Sequence, residues 1–314
     1  MRETLFPLSP VSRTDECLIY HDESKGVFEN VWAHVLLLVP ESASVELLRQ
    51  LWKVRGRHGC EDKKLHFAEI SGEKICQRDG SIVIKDWLQY GVEALRGKGS
   101  CVFSPSLGCK LGVIFFHTSV DLDLYGGGIK GEKMLRYFET VLRMLLKGCT
   151  HGLYDQDNRL RVRGIITDGE PWHRKLDEIR ILDRLISETR EYVEIDRNAY
   201  VEGVVSDHTS PDCTDRDKAQ FLQLADLLLG SIIHSCFRDL EHGNKKEKMI
   251  RPVREMLEKR RRGAGFRYSG HYRSFSLSFA AIEMGQWKFE QVDTKEIIYE
   301  DNQLKLFDLN EGAK

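Results

Sequence analysis

The sequence predicts an α/β protein in which helices flank a mixed β-sheet. Short apolar runs that end at turn-forming or acidic residues are typical of buried strands. Between the later runs lie segments with apolar residues at helical spacing. The early runs follow one another closely, whereas the later ones alternate with helices, so we expect antiparallel strands first and parallel strands after them.

Composition limits the classes of protein to which the chain can belong. Its 314 residues carry 47 basic and 49 acidic side chains and are 41% apolar, so the core is sizeable and any polyanion site must be a local patch. The eight cysteines include no C-x-x-C pair, which argues against structural zinc and against a disulfide framework. Reduced thiols predict a cytoplasmic protein. No signal peptide is expected, and the apolar stretches fall short of a membrane span, so we expect no membrane partner.

The first part of the chain predicts strands around a helical insertion. A strand at 17–21 is expected to turn at Ser24, Lys25 and Gly26 into a partner strand at 31–39. The insertion covers about 41–100, with helices at 43–54 and 82–96 and an unassigned segment at 65–70. A third strand follows at 109–118.

The second part predicts alternating helices and strands. In order they are a helix at 131–147, a strand at 162–167, a helix opening at Pro171, a strand at 199–206 and a helix at 215–237. A ribonuclease H-like fold has this order of elements, and we assign it to residues 15–240. Residues 241–314 are predicted as a C-terminal extension packed on the same domain, with a helix near 250–260 and a closing hairpin at 275–283 and 287–292.

Three separate acids are expected to converge. Asp22 and Glu23 follow the first strand, and because strand neighbours point to opposite faces, only one of them can face a given site; we expect Asp22. Asp168 ends the fourth strand, although it could instead cap the next helix. Asp226 lies in a helix apolar almost all round, without a basic partner on its own face and with space beside Gly230. The alternative for Asp226 is a hydrogen bond to a backbone amide or a serine.

Carboxylates brought close together repel one another unless a cation neutralises them, and Mg²⁺ or Mn²⁺ prefers oxygen ligands. Such ions can activate water to attack a phosphodiester. Glu132 is the candidate fourth catalytic metal ligand, although a helix N-terminus also favours a carboxylate at that position. Glu23, Glu69 and Asp207 are the other candidates for this place.

Two stretches carry a resemblance to a known family. Residues 20–24 (Tyr-His-Asp-Glu-Ser) and 223–230 (Gln-Leu-Ala-Asp-Leu-Leu-Leu-Gly) resemble the two motifs of domain of unknown function 3800, a largely bacterial family thought to be ribonuclease H-like. The similarity spans roughly 16–290, but Lys25 stands before Gly26 where the family usually has glycine soon after serine. The resemblance implies metal ligands at Asp22 and Asp226, with Asp168 as the third. Members often accompany mobile elements and defence systems, which suggests a nucleic-acid target and a protein partner by association.

A basic and aromatic patch near the C-terminus is the predicted substrate-binding region. Its members are Arg260, Arg261, Arg267, Tyr268, His271 and Arg273. They could hold phosphates and stack bases, but a solvated helix end explains the arginines equally well. Four histidines near candidate acids, His21, His66, His173 and His208, could tune an attacking water or hold a hydrogen bond.

The sequence therefore favours a Mg²⁺- or Mn²⁺-dependent nuclease or phosphodiesterase. One alternative is a nucleic-acid-binding or partner-binding subunit that kept the fold and lost turnover. The other is a metal-dependent hydrolase of a small phosphate ester.

Overall fold

A computed structural model describes residues 13–28, 31–71, 80–96, 108–117, 130–153, 158–169, 175, 177–178, 180–189, 193–237, 245–262, 274–283 and 286–292. In this part of the chain seven strands form one mixed sheet, in the order β5-β4-β1-β2-β3-β6-β7. The strands are β1 Arg13–Phe28, β2 Val31–Pro40, β3 Lys110–His117, β4 Asn158–Asp168, β5 Glu194–Val204, β6 Phe275–Glu283 and β7 Gln286–Gln291. The helices are α1 Glu41–His58, α2 Gly80–Arg96, α3 Lys130–Leu153, α4 Ile181–Thr189, α5 Arg216–Phe237 and α6 Lys245–Arg262, with a 3₁₀ helix at Phe67–Ser71. The predicted α/β class with a mixed sheet flanked by helices is confirmed.

Strand β1 lies between β4 and β2 inside the sheet and is much longer than predicted. It pairs antiparallel with β2 and parallel with β4. The turn expected at Ser24, Lys25 and Gly26 is wrong, because the strand continues to Phe28. The register with β2 shifts between Ser24 and Phe28, so this stretch forms an irregularity within the hairpin. Asp22 therefore lies inside a strand, opposite Val35, and not at a strand end.

The two faces of the sheet are covered by different helices. One face packs against the insertion helices α1 and α2 together with α5 and α6, through core residues such as Leu47, Trp87 and Leu228. The other face packs against α3 and α4, through residues such as Leu145 and Leu185. Because alternate residues of a strand point to opposite faces, the sequence position of a β1 side chain decides which set of helices it meets.

Helix α5 crosses the first face and is buried on nearly all sides. It is long and apolar enough to span a membrane by composition, contrary to the prediction from the sequence, and 89% of its most apolar window is buried inside the fold. Its ring contacts include Phe221 on Tyr20 of β1, with centroids 4.9 Å apart. This packing places α5 over β1 and its neighbours β2 and β4.

The last described strands extend the antiparallel side of the sheet. Strand β6 runs parallel to β3, and β7 pairs antiparallel with β6, which confirms the predicted hairpin. Helix α6 packs against α2 and α5 on the first face. The strands and helix of the C-terminal extension thus complete the sheet and one of its two helical layers.

Close packing of α3 on the second face depends on a glycine in β3. A Cβ atom at Gly112 would lie 2.4 Å from Sγ and 2.5 Å from Cβ of Cys149 in α3. We expect Gly112→Ala to lower the free energy of unfolding by about 1–3 kcal/mol, because the added methyl group forces helix and sheet apart. Chemical denaturation measures the change.

A second strand glycine provides the matched control. A Cβ at Gly203 of β5 would meet nothing closer than Cα of Gly169 at 3.4 Å, so Gly203→Ala should leave the free energy of unfolding within about 1 kcal/mol of wild type. Equal losses in the two variants would contradict this account of α3 packing.

Candidate active site

Asp22 and Asp168 lie side by side on the first face of the sheet. His21 is opposite Thr167 in the parallel ladder between β1 and β4, so the residues that follow occupy neighbouring positions on the two strands. By strand alternation Asp22 shares a face with Tyr20, and Asp168 shares a face with Ile166. Tyr20 and Ile166 both belong to the core beneath α5.

Helix α5 brings Asp226 to the same place. Burial raises the pKa of Asp22 well above its usual value, and the negative charges of Asp226, Asp168 and Glu23 raise it further. The backbone N–H of Glu23 donates to the Asp22 carboxylate and opposes this shift. The charge of Asp22 is therefore costly in this environment, since it faces two carboxylates from distant parts of the chain.

Asp226 is held by the insertion and not by a neighbour on α5. Its Oδ2 accepts hydrogen bonds from the backbone N–H of Phe67 at 2.7 Å and from Nδ1 of His66 at 2.9 Å. The hydrogen bond from the Phe67 backbone is of the kind expected in the alternative interpretation, in which Asp226 bonds to a backbone amide or a serine. Among the described residues Oδ1 accepts no hydrogen bond, and 20% of the side chain remains exposed. Asp226 thus has one oxygen committed to the insertion and one that is open to a ligand.

Asp168 is held by the loop after β5. Its Oδ1 accepts hydrogen bonds from the backbone N–H groups of Ser206 and Gly169, both at 3.0 Å. Its Oδ2 accepts a hydrogen bond from the Ser206 hydroxyl at 2.9 Å. These contacts fix the direction of the carboxylate beside Asp22. The helix that the sequence places at Pro171 starts outside the described residues.

A buried polar network joins these two supports. Oε1 of Gln223 on α5 accepts from the Leu65 backbone N–H at 2.9 Å and from Arg55 Nη2 at 2.5 Å. Nε2 of Gln223 donates to the Ser206 carbonyl at 2.6 Å. Gln223 therefore links the insertion segment beside Asp226 to the loop that orients Asp168.

Arg55 anchors the insertion from within α1. Its fully buried guanidinium also donates to Gln220 and to the carbonyls of Cys60 and Lys63, and it lies over the ring of Trp87 with its central carbon 4.5 Å from the centroid. Burial lowers its pKa to about 10. These hydrogen bonds replace the ones to water that the guanidinium loses when it is buried. Neither Arg55 nor Gln223 was predicted as a site residue, although Gln223 is the first residue of the segment 223–230 that carries the resemblance.

Gly230 lies on the same side of α5 as Gln223 and Asp226, and the Phe67 ring fills the space beside it. A Cβ atom at this position would lie 2.1 Å from Cγ of the phenylalanine ring. Gln223, Asp226 and Gly230 are three and four residues apart, which places them along one side of the helix. The segment 223–230 that carries the family resemblance thus receives Leu65, His66 and Phe67.

The other candidate ligands are placed as follows. Glu23 belongs to the second face, where its Oε2 lies 3.8 Å from Nδ1 of His34. Glu69 is exposed in the 3₁₀ helix, and Asp207 accepts hydrogen bonds from Thr209 in its own loop. Glu132 lies in the first turn of α3, and its side chain lies outside the described residues.

The candidate histidines and the basic patch are only partly described. His66 contacts Asp226, His21 bonds to His34 on the second face, His208 belongs to the Gln223 network, and His173 lies outside the described residues. Arg260 and Arg261 are in the last turn of α6, without described side chains. Arg267, Tyr268, His271 and Arg273 also lie outside the described residues.

The donor set suits a hard cation in type, because Asp22, Asp168 and Asp226 offer only oxygen atoms and the carboxylate charges repel one another. Within the described ranges no three His, Cys, Asp or Glu side chains are arranged as a complete metal-binding group. The hydrogen bonds from the Ser206 hydroxyl and the Phe67 backbone N–H occupy lone pairs on one oxygen of Asp168 and one oxygen of Asp226. A cation would use the remaining lone pairs of these carboxylates.

The chain was compared with protein-family models, with curated proteins and with solved structures, and none of them matches it. The resemblance to domain of unknown function 3800 stays a prediction from the two motifs.

Gly230→Ala tests the contact between Gly230 and Phe67, because we expect it to destabilise the protein, whereas a change from glycine to alanine inside a helix usually stabilises it. Alanine is favoured over glycine inside a helix by about 1 kcal/mol. Here we expect Gly230→Ala to lower the free energy of unfolding by about 1–3 kcal/mol, because the methyl group would overlap the Phe67 ring. In the Phe67→Ala background the same change should cost less or become stabilising. Equal costs in both backgrounds, measured by denaturation, would rule the contact out.

The network also predicts how stability depends on pH. His208 is buried, donates from Nε2 to the Glu61 carbonyl at 2.7 Å, and accepts at Nδ1 from Gln223 at 3.1 Å. Burial lowers its pKa, so the neutral form is favoured on folding. Its contribution to stability is complete above its unfolded pKa of about 6.5 and is lost as the pH falls below that value.

We expect His208→Gln to show a smaller loss of unfolding free energy than wild type between neutral pH and pH values below about 6. Val45→Ala, at a 75% exposed position of α1 that carries no titratable group, provides the control and should keep the wild-type pH dependence. If His208→Gln loses as much stability on acidification as wild type, the neutral His208 is not part of the network.

Proposed function

We propose that this chain is a divalent-metal-dependent nuclease with a ribonuclease H-like fold. The observation that carries the proposal is the convergence of Asp22, Asp168 and Asp226 on one face of the sheet. The fold supports it as well, because β1, β2 and β3 are antiparallel and β4 and β5 run parallel to β1, in the order β5-β4-β1-β2-β3.

In this proposal the three aspartates hold Mg²⁺ or Mn²⁺, with Glu132 as a candidate fourth ligand. The bound cation would supply an activated water and stabilise the leaving oxygen of a phosphodiester. The protein's own part is to orient the ligands. Ser206 fixes the direction of Asp168, and Phe67 and His66 fix Asp226, so neither carboxylate pays the full cost of ordering when a ligand binds.

His66 is placed to face a substrate beside the carboxylates. A carboxylate can only accept, so Nδ1 of His66 carries the proton in its bond to Asp226, and Nε2 is directed away from that bond. With 37% of the side chain exposed, the ring is reachable from solvent.

Asp22→Asn is the most informative single change. Asp168 and Asp226 each hold another segment in place, whereas Asp22 accepts a hydrogen bond from the backbone of its neighbour Glu23. Loss of metal binding in this variant therefore reports the ligand and not the collapse of a loop.

We expect wild type to bind Mn²⁺ by calorimetry and Asp22→Asn to lose at least ~90% of the affinity, because a negatively charged ligand is removed. Without divalent ions the same variant should be more stable than wild type by ~1 kcal/mol or more, since a buried charge beside two like charges disappears. Asp183→Asn on α4, which packs on the second face, is the control and should match wild type in Mn²⁺ binding.

Cleavage of labelled DNA and RNA oligonucleotides with Mn²⁺ tests the reaction itself, and Asp22→Asn should abolish it. Oligonucleotide binding without any cleavage, unchanged in Asp22→Asn, would replace the nuclease by a binding subunit. Turnover of small phosphate esters alone would identify a hydrolase of another kind.

A further inference from the structure

We propose that Gln223 is a positioning residue of the carboxylate site, whose side-chain amide sets the placement of Asp168 and Asp226 relative to each other. The inference rests on the proposed function and adds to it a residue that touches neither metal nor substrate. Gln223 lies three residues before Asp226 on α5, and only 1% of it is exposed. It therefore acts through the groups to which it is hydrogen-bonded.

The buried amide of Gln223 forms all four hydrogen bonds that a glutamine side chain offers. Its oxygen accepts from Arg55 Nη2 at 2.5 Å and from the Leu65 backbone N–H at 2.9 Å. Its nitrogen donates to the Ser206 carbonyl at 2.6 Å and to Nδ1 of His208 at 3.1 Å. Exchanging the two ends would set donors against the donors of Arg55 and Leu65, so the amide has one orientation.

The oxygen end of this amide reaches Asp226 through the insertion. Leu65 donates to Gln223, and the next two residues both donate to Oδ2 of Asp226. These donors are Nδ1 of His66 at 2.9 Å and the backbone N–H of Phe67 at 2.7 Å. Three consecutive residues of the insertion are thus bonded to α5, and the place where Gln223 holds Leu65 decides how the other two meet the carboxylate.

The nitrogen end reaches Asp168 through the loop after β5. Gln223 holds the carbonyl of Ser206, and the same serine bonds to both oxygens of Asp168. Its backbone N–H donates to Oδ1 at 3.0 Å and its hydroxyl donates to Oδ2 at 2.9 Å. One residue therefore carries the whole connection, so a shift of the amide moves Ser206 and with it the carboxylate of Asp168.

A cation shared by Asp22, Asp168 and Asp226 requires a fixed separation of these carboxylates. The parallel ladder between β1 and β4 sets Asp22 beside Asp168. Asp226 comes from a helix, so its distance from the two strand acids depends on side-chain contacts, and Gln223 supplies one that reaches the supports of both. Groups that orient metal ligands without touching the metal typically change metal affinity by about 10–100-fold when they are removed.

Two substitutions separate the two ends of the amide. Gln223→Glu keeps an oxygen for Arg55 and Leu65. Its second oxygen lies against the Ser206 carbonyl, where the wild-type nitrogen donates, so this variant disturbs the support of Asp168 alone. Gln223→Met has a similar length and no amide, so it removes both supports. We expect calorimetry to show about 10–100-fold weaker Mn²⁺ binding in both variants.

Gln220→Met is the matched control. Gln220 is also buried on α5 and accepts from Nε of Arg55 at 2.6 Å, but among the described residues it has no hydrogen bond to Leu65 or Ser206. It should lose stability towards denaturant, as the Gln223 variants do, and keep the wild-type Mn²⁺ affinity. An equal loss of affinity in Gln220→Met, or wild-type affinity in Gln223→Met, would overturn the proposal. If Gln223→Met does not fold, Gln223→Glu takes its place in this comparison.

Hydrogen exchange of the metal-free proteins tests the positioning separately from the proposed function, which wild type would contradict by binding no Mn²⁺. Gln223→Glu should speed exchange of the Ser206 amide by roughly two- to tenfold, the effect of one lost hydrogen bond, and leave the Phe67 amide unchanged. Gln223→Met should speed both, and Gln220→Met neither, after correction for global stability. Wild-type exchange at Ser206 and Phe67 in both Gln223 variants would overturn the inference, whatever the metal result.

Discussion

The bond between Arg55 and Gln223 is the interaction on which the arrangement of this molecule depends. It is buried, and it joins α1 of the insertion to α5, which packs on the first face of the sheet. Both polar atoms of the Gln223 amide are used. The oxygen accepts a hydrogen bond from Leu65 of the insertion, and the nitrogen donates to the carbonyl of Ser206. Loss of either partner would leave several buried polar groups unsatisfied, at a cost of about 1–3 kcal/mol for each group.

The segment 223–230 combines a structural role with the proposed chemical one. At one end of the contact with the insertion, Gln223 accepts a hydrogen bond from Leu65. At the other end, Gly230 leaves room for the Phe67 ring. Asp226 lies between them. One of its oxygens accepts a hydrogen bond from Phe67 of the insertion, and its negative charge raises the pKa of Asp22. A buried acid in a core helix is tolerated here because the insertion supplies the donors that α5 itself lacks.

Much of the fold could be predicted from the sequence, because periodic apolar patterns mark α5, α3 and the closing hairpin with few local exceptions. The turn expected near Lys25 was wrong, since serine, lysine and glycine tolerate an irregular strand as well as a turn. The meeting of Asp22, Asp168 and Asp226 followed from their positions in predicted elements. The partners of these acids did not, because His66, Phe67 and Ser206 reach them through contacts distant in sequence, which no local pattern encodes.

The position of β6 beside β3 has a consequence for how the chain is synthesised. Strand β3 carries Val113, Ile114, Phe115 and Phe116, yet β6, the neighbour that covers its outer edge, is synthesised only after α3, β4, α4, β5, α5 and α6. Until then an apolar strand edge is open to pairing with other chains. A truncation before β6 would leave this strand edge uncovered.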